Sequence, residues 1–457
     1  MILLVNRLHR HLSPSTTCSI QPTRRATQFL RVITLSHRLS SMPPKAGSKR
    51  KPAATSQTKL AIAQLAKRPK TESAATPADR WKEPHPFHED SERHGIVLRK
   101  YYPHEMSNDR ARAYRSELIP RPIETLTTAL LNTATDRARV KVSKAVVHWF
   151  KRDLRLADNK ALRLASERAH ETGASLIAVY LLSPQDFEAH LTSPARVDFI
   201  VRNLAILKQR LAELDIPLHV ETVERRRNVP DRMLQLLREW NASHIFANME
   251  YEVDELRRDA NMIRLLASNG ISMDVVHDTC VVPPGELRSG SGKQYSVYTP
   301  WFRSWIRHIH ENLDLLETYD EPSQNPAATR QKYAALFECE IPSTPANKTL
   351  PGDDAERYRQ LWPAGEEDAR RRLHDFCEDR ITSYKTERNL PAEAATSSLS
   401  PYLTSGVLSA RTCVRTARDR NTTKKLDGGN EGIQTWISEV AWRDFYRHVL
   451  VAAPYVW

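Results

Sequence analysis

The residues best suited to chemistry lie in one stretch near the C-terminus, from Thr396 to Tyr446. The first part of this stretch is rich in hydroxyls, at Thr396, Ser397, Ser398 and Ser400, with Leu399 between them. Pro401 follows, and proline favours the first turn of a helix. Hydroxyls beside the free N–H groups of a helix start suit a phosphate. The pattern predicts an anion site, although Ser400 alone is equally typical of an ordinary N-cap.

The second part of the stretch predicts a helix with flat and charged side chains on one face. Trp436, Glu439 and Arg443 are spaced at i, i+3 and i+7, so they share a face, and Trp442 lies a little around the cylinder. Indoles beside a carboxylate and a guanidinium suit a flat ring such as a flavin or a nucleic acid base. The alternative is a structural Glu–Arg pair beside core aromatics.

Charge is unevenly placed along the 457 residues, a length that indicates two to four domains. Residues 1–71 hold 14 of the 68 Lys and Arg residues and no Asp or Glu, so the rest of the chain is close to neutral. Any nucleic-acid surface there must be a local patch. The five cysteines show no CxxC or metal spacing, which favours a reduced intracellular compartment and predicts no metal site. Without an apolar run of membrane length, we expect no membrane span.

The N-terminal residues have the composition of targeting segments. Residues 1–41 combine arginines with Ser and Thr and lack acids, as in a mitochondrial transit peptide. Met42 offers an alternative start. We expect residues 42–80 to be disordered, and their basic clusters Lys49–Lys51 and Lys67–Lys70 resemble a bipartite nuclear localisation signal or form a solvated linker. Two starts would direct products to nucleus and mitochondrion. Residues 81–143 are interpreted as a surface extension.

From residue 144 the chain alternates between strand and helix patterns, and this predicts an α/β doubly wound parallel sheet over 144–280. The apolar runs that indicate buried strands are Ala145–Phe150, Ser175–Leu182, Leu218–Val223, Ser243–Met249 and Ser272–Val276. The clearest helix has Ser193 as N-cap and Pro194 in its first turn, and others are predicted over Asp231–Trp240 and Val253–Ser268. No GxGxxG follows the first strand, so the usual dinucleotide fingerprint is missing from the sequence.

After residue 280 the strand pattern fades. Residues 281–360 are interpreted as a linker and 361–457 as the first part of an all-α domain. One helix is predicted in the linker, at Thr299–Asn312. The helices predicted in the all-α domain are Glu366–Thr386, Ser400–Leu403, Ser409–Arg420 and Thr435–Val451.

Several motifs in order resemble the photolyase/cryptochrome family, most closely the class I cyclobutane pyrimidine dimer photolyases. They are Trp149–Leu162, Asn248–Glu255, Tyr295–Trp301 with Trp305, Tyr384–Arg388, Thr396–Arg411 and Trp436–Tyr446. The resemblance covers about 144–457. It implies an α/β antenna domain followed by a helical FAD-binding domain, and light-driven repair of pyrimidine dimers by electron transfer from reduced FAD.

The resemblance also implies roles for individual residues. The FAD contacts it implies are Tyr384, Thr396, Ser397, Ser398, Leu399, Ser400, Trp436 and Arg443. Glu439 would hydrogen-bond the damaged pyrimidine pair and Trp442 would stack against it, as the two catalytic residues. The implied DNA-binding residues are Arg388, Glu439, Trp442, Arg443 and Tyr446. The partner is then UV-damaged DNA, bound by a monomer.

A second chromophore, the antenna, is implied near Asp254 and Glu255. This pair resembles the folate-contacting pair of the family, so we expect 5,10-methenyltetrahydrofolate rather than a deazaflavin. Asp254 stands where bacterial members carry Asn, but a carboxylate can still accept a hydrogen bond from a pterin N–H. The alternative is an acidic helix start favoured by the helix dipole.

Three other interpretations stay open: a cryptochrome-type photoreceptor, a (6-4) photolyase and an inactive fragment. The sequence Glu439–His448 resembles the dimer photolyases more than the cryptochromes. In the family the FAD domain normally continues well beyond the helix that bears Arg443, whereas this chain stops at Trp457. We therefore expect the polypeptide as written to bind FAD poorly or not at all, and the apolar face of Thr435–Val451 to be exposed.

Overall fold

The computed structural model describes residues 108–390 and 394–456, and the predictions for residues 1–80 lie outside them. A five-stranded parallel sheet in the order β3-β2-β1-β4-β5 forms the centre. Its strands are β1 Ala145–Phe150, β2 Ser175–Leu182, β3 Leu218–Thr222, β4 Ala242–Asn248 and β5 Ser272–Val276. The doubly wound sheet is confirmed. Strand order reverses between β1 and β4, which is where open α/β sheets bind ligands at the carboxyl ends of their strands.

Helices precede the sheet and cover both of its faces. They are α1 Asn108–Arg115, α2 Pro122–Asn132, α3 Ala134–Arg139, α4 Lys160–Thr172, α5 Pro184–Ala189, α6 Pro194–Glu213, α7 Val229–Glu239 and α8 Val253–Ser268. Ser193 caps α6 as predicted, because its side chain accepts a hydrogen bond from the Arg196 N–H. The predicted surface extension joins the core instead of lying on it, since Leu126 and Ala129 of α2 are buried against α8.

The C-terminal part is helical, as predicted. Its helices are α9 Tyr298–Glu311, α10 Ala328–Lys332, α11 Ala334–Phe337, α12 Gly352–Leu361, α13 Glu366–Asp379, α14 Tyr384–Glu387, α15 Ser400–Ser405, α16 Ala410–Arg420 and α17 Glu431–Ala452. One apolar core joins this part to one face of the sheet, so that Phe150, Leu204 and Trp436 belong to the same cluster. A second cluster fills the other face. Within the described ranges, no helix combines the length and apolarity needed to cross a membrane.

Three helix predictions need correction. The segment Glu366–Thr386 is two helices, because α13 ends at Asp379 and a turn leads into α14. Helix α17 begins at Glu431, four residues before the predicted start, with the Asn430 side chain as its cap. Its apolar face is not exposed: Ile433, Ile437 and Phe445 are buried, and α17 packs against α9, α14 and α16.

Candidate functional site

Trp442 lies on α17 in a stack of aromatic rings. Its ring is parallel to that of Tyr298, the first residue of α9, with centroids 3.6 Å apart and planes 9° apart. The Tyr298 hydroxyl donates to the carbonyl oxygen of Ser438, 2.7 Å away, which fixes the phenol against α17. Tyr446 lies one turn beyond Trp442 and is 64% exposed. Trp442 is therefore a partly exposed flat ring, supported from behind by a second ring.

Glu439 faces outward on the same helix and forms an ion pair with Arg388. The Arg388 Nη1 atom contacts the Glu439 Oε1 atom directly, across the junction of α14 and α17. Both side chains are partly exposed, at 35% and 43%. A second ion pair joins the same two helices, since the Lys385 ammonium lies 2.8 Å from the Glu431 carboxylate. Two residues predicted to bind DNA thus contact each other.

Trp436 and Tyr384 lie in the core beneath this surface. Both rings contact Phe376, at centroid distances of 5.3 Å for Trp436 and 5.7 Å for Tyr384. Trp436 is 2% exposed, so its spacing with Glu439 does not place it on the open surface. Burial raises the pKa of the Tyr384 hydroxyl, which stays neutral. These two residues support the surface by packing.

Arg443 joins three segments of the chain. Its guanidinium donates to the Thr279 carbonyl at 2.7 Å and to the Leu403 carbonyl at 3.0 Å. It therefore holds α17 to the segment after β5 and to α15. Burial, followed by repulsion from Arg447, lowers the pKa of Arg443 to about 10, so that it is still charged at neutral pH.

The hydroxyl-rich segment enters α15 through strained backbone. Ser398 has φ of +53°, a conformation that L-residues other than Asn and Asp adopt rarely. Leu399 is buried and occupies the N-cap position without a side-chain hydrogen bond, so Ser400 is the first helical residue and not the cap. Among the described residues, the hydroxyls at 396–398 and 400 hydrogen-bond to no other protein group. They remain available to a ligand.

A separate cavity of about 80 Å³ opens at the carboxyl edge of the sheet. Its wall includes Arg152, Tyr180, His190, Arg196 and Glu255. Glu255 is 3% exposed and pairs through one oxygen with His190 Nε2, at 2.7 Å, while its Oε2 atom makes no hydrogen bond within the described structure. Burial alone would raise the pKa of Glu255, but His190 holds it well below its usual range. The cavity thus contains an ionised carboxylate with a free acceptor.

Asp254 lies beside Glu255 and pairs with a neighbouring guanidinium. Arg226 Nη1 is 3.1 Å from the Asp254 carboxylate, and Arg226 also pairs with Asp186 and Glu255. Burial raises the pKa of Asp254 to about 6, although Arg226 opposes the shift. Donor atoms of Asp186, His190 and Glu255 lie within 4.8 Å of one another, with Arg226 as their counter-cation.

The sequence prediction omitted Tyr298, His190 and Arg226. Tyr298 stood in a recognised motif, but nothing in that motif indicates which ring it contacts. His190 and Arg226 belong to segments far in sequence from Asp254, and only the fold brings them to it.

The chain is similar in sequence to a known protein family and to several of its members. Residues 146–324 match the family described as DNA photolyase. The chain is 56% identical over 423 residues to a deoxyribodipyrimidine photo-lyase of Neurospora crassa, which covers 90% of this chain and 69% of that protein. It is 36% identical to a Vibrio cholerae protein of the same name, over 67% of this chain and 61% of the relative. A Saccharomyces cerevisiae relative named deoxyribodipyrimidine photo-lyase, mitochondrial, is 32% identical over 80% of this chain and 67% of its own length.

Two solved structures show the same fold. A class III photolyase from Agrobacterium tumefaciens superposes with a TM-score of 0.55 at 23% identity, covering 69% of this chain and 60% of that one. A cryptochrome from Synechocystis gives a TM-score of 0.53 at 23% identity, over 67% of this chain and 61% of its own. The chain thus spans about three fifths of the Vibrio relative and of both structures.

Proposed function

This chain belongs to the DNA photolyase family, and we propose that it repairs cyclobutane pyrimidine dimers in DNA with light. The observation that carries this proposal is the surface where α14 meets α17, on which Glu439 pairs with Arg388 and the Trp442 ring lies one turn further along α17. The identity of 56% to a deoxyribodipyrimidine photo-lyase supports it.

Each side chain of this surface has a role in the proposed repair. The Trp442 ring provides a flat apolar wall for a pyrimidine dimer that has left the duplex, and Tyr298 holds that ring in place. The Glu439 carboxylate accepts hydrogen bonds from the N–H groups of the damaged pyrimidines. A charged acceptor at the reacting rings orients them and stabilises charge that develops there. Arg388 binds a flanking phosphate.

The hydroxyl segment fits the FAD that the family implies. We propose that residues 396–400 hold the pyrophosphate, because their hydroxyls have no protein partner among the described residues and the left-handed Ser398 turns the chain toward α15. When bound, reduced and light-excited FAD supplies the electron that opens the dimer ring. Tyr384, Trp436 and Arg443 hold the surrounding helices in position, since all three side chains are engaged by protein.

The cavity at the sheet edge holds charged acceptors suited to an antenna chromophore. We propose 5,10-methenyltetrahydrofolate, because Glu255 Oε2, which makes no hydrogen bond within the described residues, is a charged acceptor for a pterin N–H and Asp254 lies beside it. After addition of the folate and removal of the unbound excess, the purified chain should retain the long-wavelength absorbance of the folate, and Glu255→Gln should not retain it. Uptake of a deazaflavin instead would contradict the folate assignment.

A repair assay tests the central proposal. The full chain is purified, its flavin absorbance is measured, and it is mixed with a thymine-dimer oligonucleotide in light or in darkness. In a preparation that holds flavin, we expect repair in light only, with a loss of about tenfold or more in Glu439→Gln, which replaces a charged hydrogen-bond acceptor with a neutral one. Glu431→Gln, on the same helix, is the control and should retain repair.

The remaining outcomes separate the alternatives. Repair of a (6-4) photoproduct in place of the dimer would identify the other photolyase class. Flavin binding without repair of either lesion would favour a cryptochrome-type photoreceptor. A preparation without flavin absorbance would match the expectation that this polypeptide binds FAD poorly, and stoichiometric flavin would contradict it.

We also propose that products reach both nucleus and mitochondrion. Support comes from the composition of residues 1–80 and from the yeast relative whose name includes mitochondrial. Fusions to a fluorescent protein that begin at Met1 or at Met42 test this proposal. The longer product should enter mitochondria and the shorter one the nucleus, and identical distributions would contradict it.

A further inference from the structure

We propose that the Arg388–Glu439 ion pair sets the preference of this chain for damaged over undamaged DNA, an inference that rests on the proposed function. Arg388 is the cation and Glu439 the anion of one open surface, and the two side chains contact each other across the junction of α14 and α17. Neither is buried, so DNA can reach both. The pair therefore competes directly with DNA for both partners.

Undamaged duplex satisfies only one member of the pair. A phosphate can replace Glu439 as the partner of Arg388, but the paired bases offer nothing to the released carboxylate, which then lies close to the phosphate charge. That repulsion disfavours undamaged DNA. A dimer that has left the helix brings N–H donors to Glu439, and the loss of the ion pair is then compensated at both ends. The preference for damaged DNA arises because the damaged duplex offers new partners to both residues and the undamaged duplex offers one only to Arg388.

The neighbouring pair Lys385–Glu431 offers a matched comparison. It joins the same helices at 2.8 Å but is more exposed, at 53% and 73%, and it includes no residue placed against the lesion. Its removal should change the binding of damaged and undamaged DNA by the same factor. Removal of Glu439 should change the ratio between them.

A double-mutant cycle tests the proposal on the full chain. Binding of an undamaged duplex and of the same duplex with one thymine dimer is measured in darkness at several salt concentrations, for wild type, Glu439→Gln, Arg388→Gln and the double variant. We expect Glu439→Gln to bind undamaged duplex about two- to fivefold more tightly, the range for release of an exposed ion pair. The slope of log K against log salt should steepen by about 0.9, for one additional phosphate contact.

The tighter binding of undamaged duplex that we expect of Glu439→Gln must depend on Arg388. The double variant should bind undamaged duplex no more tightly than Arg388→Gln, and Glu431→Gln should leave the damaged-to-undamaged ratio unchanged. A gain of equal size in the Arg388→Gln background would show generic removal of negative charge and would overturn the proposal. So would an unchanged ratio in Glu439→Gln. If the wild-type chain binds neither duplex, the proposed function itself fails, and this inference fails with it.

Discussion

At the scale of single residues, the position of the Trp442 ring depends on Tyr298. The two rings stack at 3.6 Å, and the phenol is fixed in turn by its hydrogen bond to Ser438. A binding surface built from a flat ring needs that ring in one orientation before the ligand arrives, because ordering it later would cost binding energy. Tyr298 is thus a positioning residue, and the first turn of α9 belongs to the site.

Substitutions of Tyr298 should separate the contribution of its hydrogen bond to Ser438 from that of its stacking on Trp442. Tyr298→Phe keeps the stack and loses the hydrogen bond, so the free energy of unfolding should fall by about 1 kcal/mol. Tyr298→Leu should lose about 0.5–1.5 kcal/mol more, the contribution of an aromatic pair. Tyr358→Phe is the control, because Tyr358 also stacks on an indole, Trp362, but its hydroxyl makes no hydrogen bond among the described residues. Denaturant unfolding measures all three, and equal effects for both Phe variants would contradict the assignment.

At the scale of elements, α15 approaches the end of β1 so closely that only glycine fits between them. Gly406 ends α15 with φ of +70°, and a Cβ atom there would lie 1.9 Å from the Arg152 carbonyl oxygen. Its own carbonyl accepts from Arg155 at 3.0 Å. This contact brings the hydroxyl segment near the sheet.

Gly406→Ala should therefore destabilise the protein strongly. We expect a loss of about 2–4 kcal/mol, from the steric conflict together with the left-handed backbone. Gly173→Ala has nearly the same φ, +66°, but its Cβ would meet nothing within 4 Å, so it should cost only about 1 kcal/mol. Chemical denaturation of both variants gives the comparison, and similar losses would show that backbone strain alone matters at Gly406.

The sequence predicted regular elements better than it predicted their contacts. The strands β1 and β2 are buried runs rich in apolar residues, and the bounds of all five strands were predicted to within one residue. The turn after Asp379 was missed, and the residue that packs against it is distant in sequence: Gly432 of α17 lies against the Ile381 carbonyl, where a Cβ would be 2.2 Å away. The burial of Trp436 was missed for the same reason, since Phe376 reaches it from another helix. Periodicity in the sequence predicts which residues share a face of a helix, but not which element packs against that face.

At the scale of the whole molecule, a buried network of charges joins the sheet to the C-terminal helices. Arg411 at the start of α16 pairs with Asp158, at 2.8 Å, and with Asp278, at 2.6 Å, which follow β1 and β5 respectively. Arg155 pairs with Asp278 as well. All four side chains are at most 7% exposed, so each charge depends on the others for solvation. The network holds the α/β and helical parts in one arrangement.

Removal of Arg411 should destabilise this junction in a pH-dependent way. Burial alone would raise the pKa of Asp158, but Arg411 and then Arg155 lower it, so its stabilising contribution is present at neutral pH and is lost as pH falls through that lowered pKa. Arg411→Met leaves Asp158 without its main cation, and we expect a loss of about 3–5 kcal/mol at pH 7. In acid the Asp158 carboxylate of the variant takes up a proton, so the difference between variant and wild type should shrink from pH 7 to pH 4.

The control for this prediction lies on the same helix. Arg415 is 45% exposed and forms an i,i+4 pair with Asp419, so Arg415→Met should cost less than about 1 kcal/mol, with little change over this pH range. Urea unfolding at pH 4, 5.5 and 7 measures both variants. A pH-independent loss in Arg411→Met would mean that its packing, and not its charge, holds the sheet and the C-terminal helices together. The coupling between the two parts would then depend more on the shared apolar core than on this charge network.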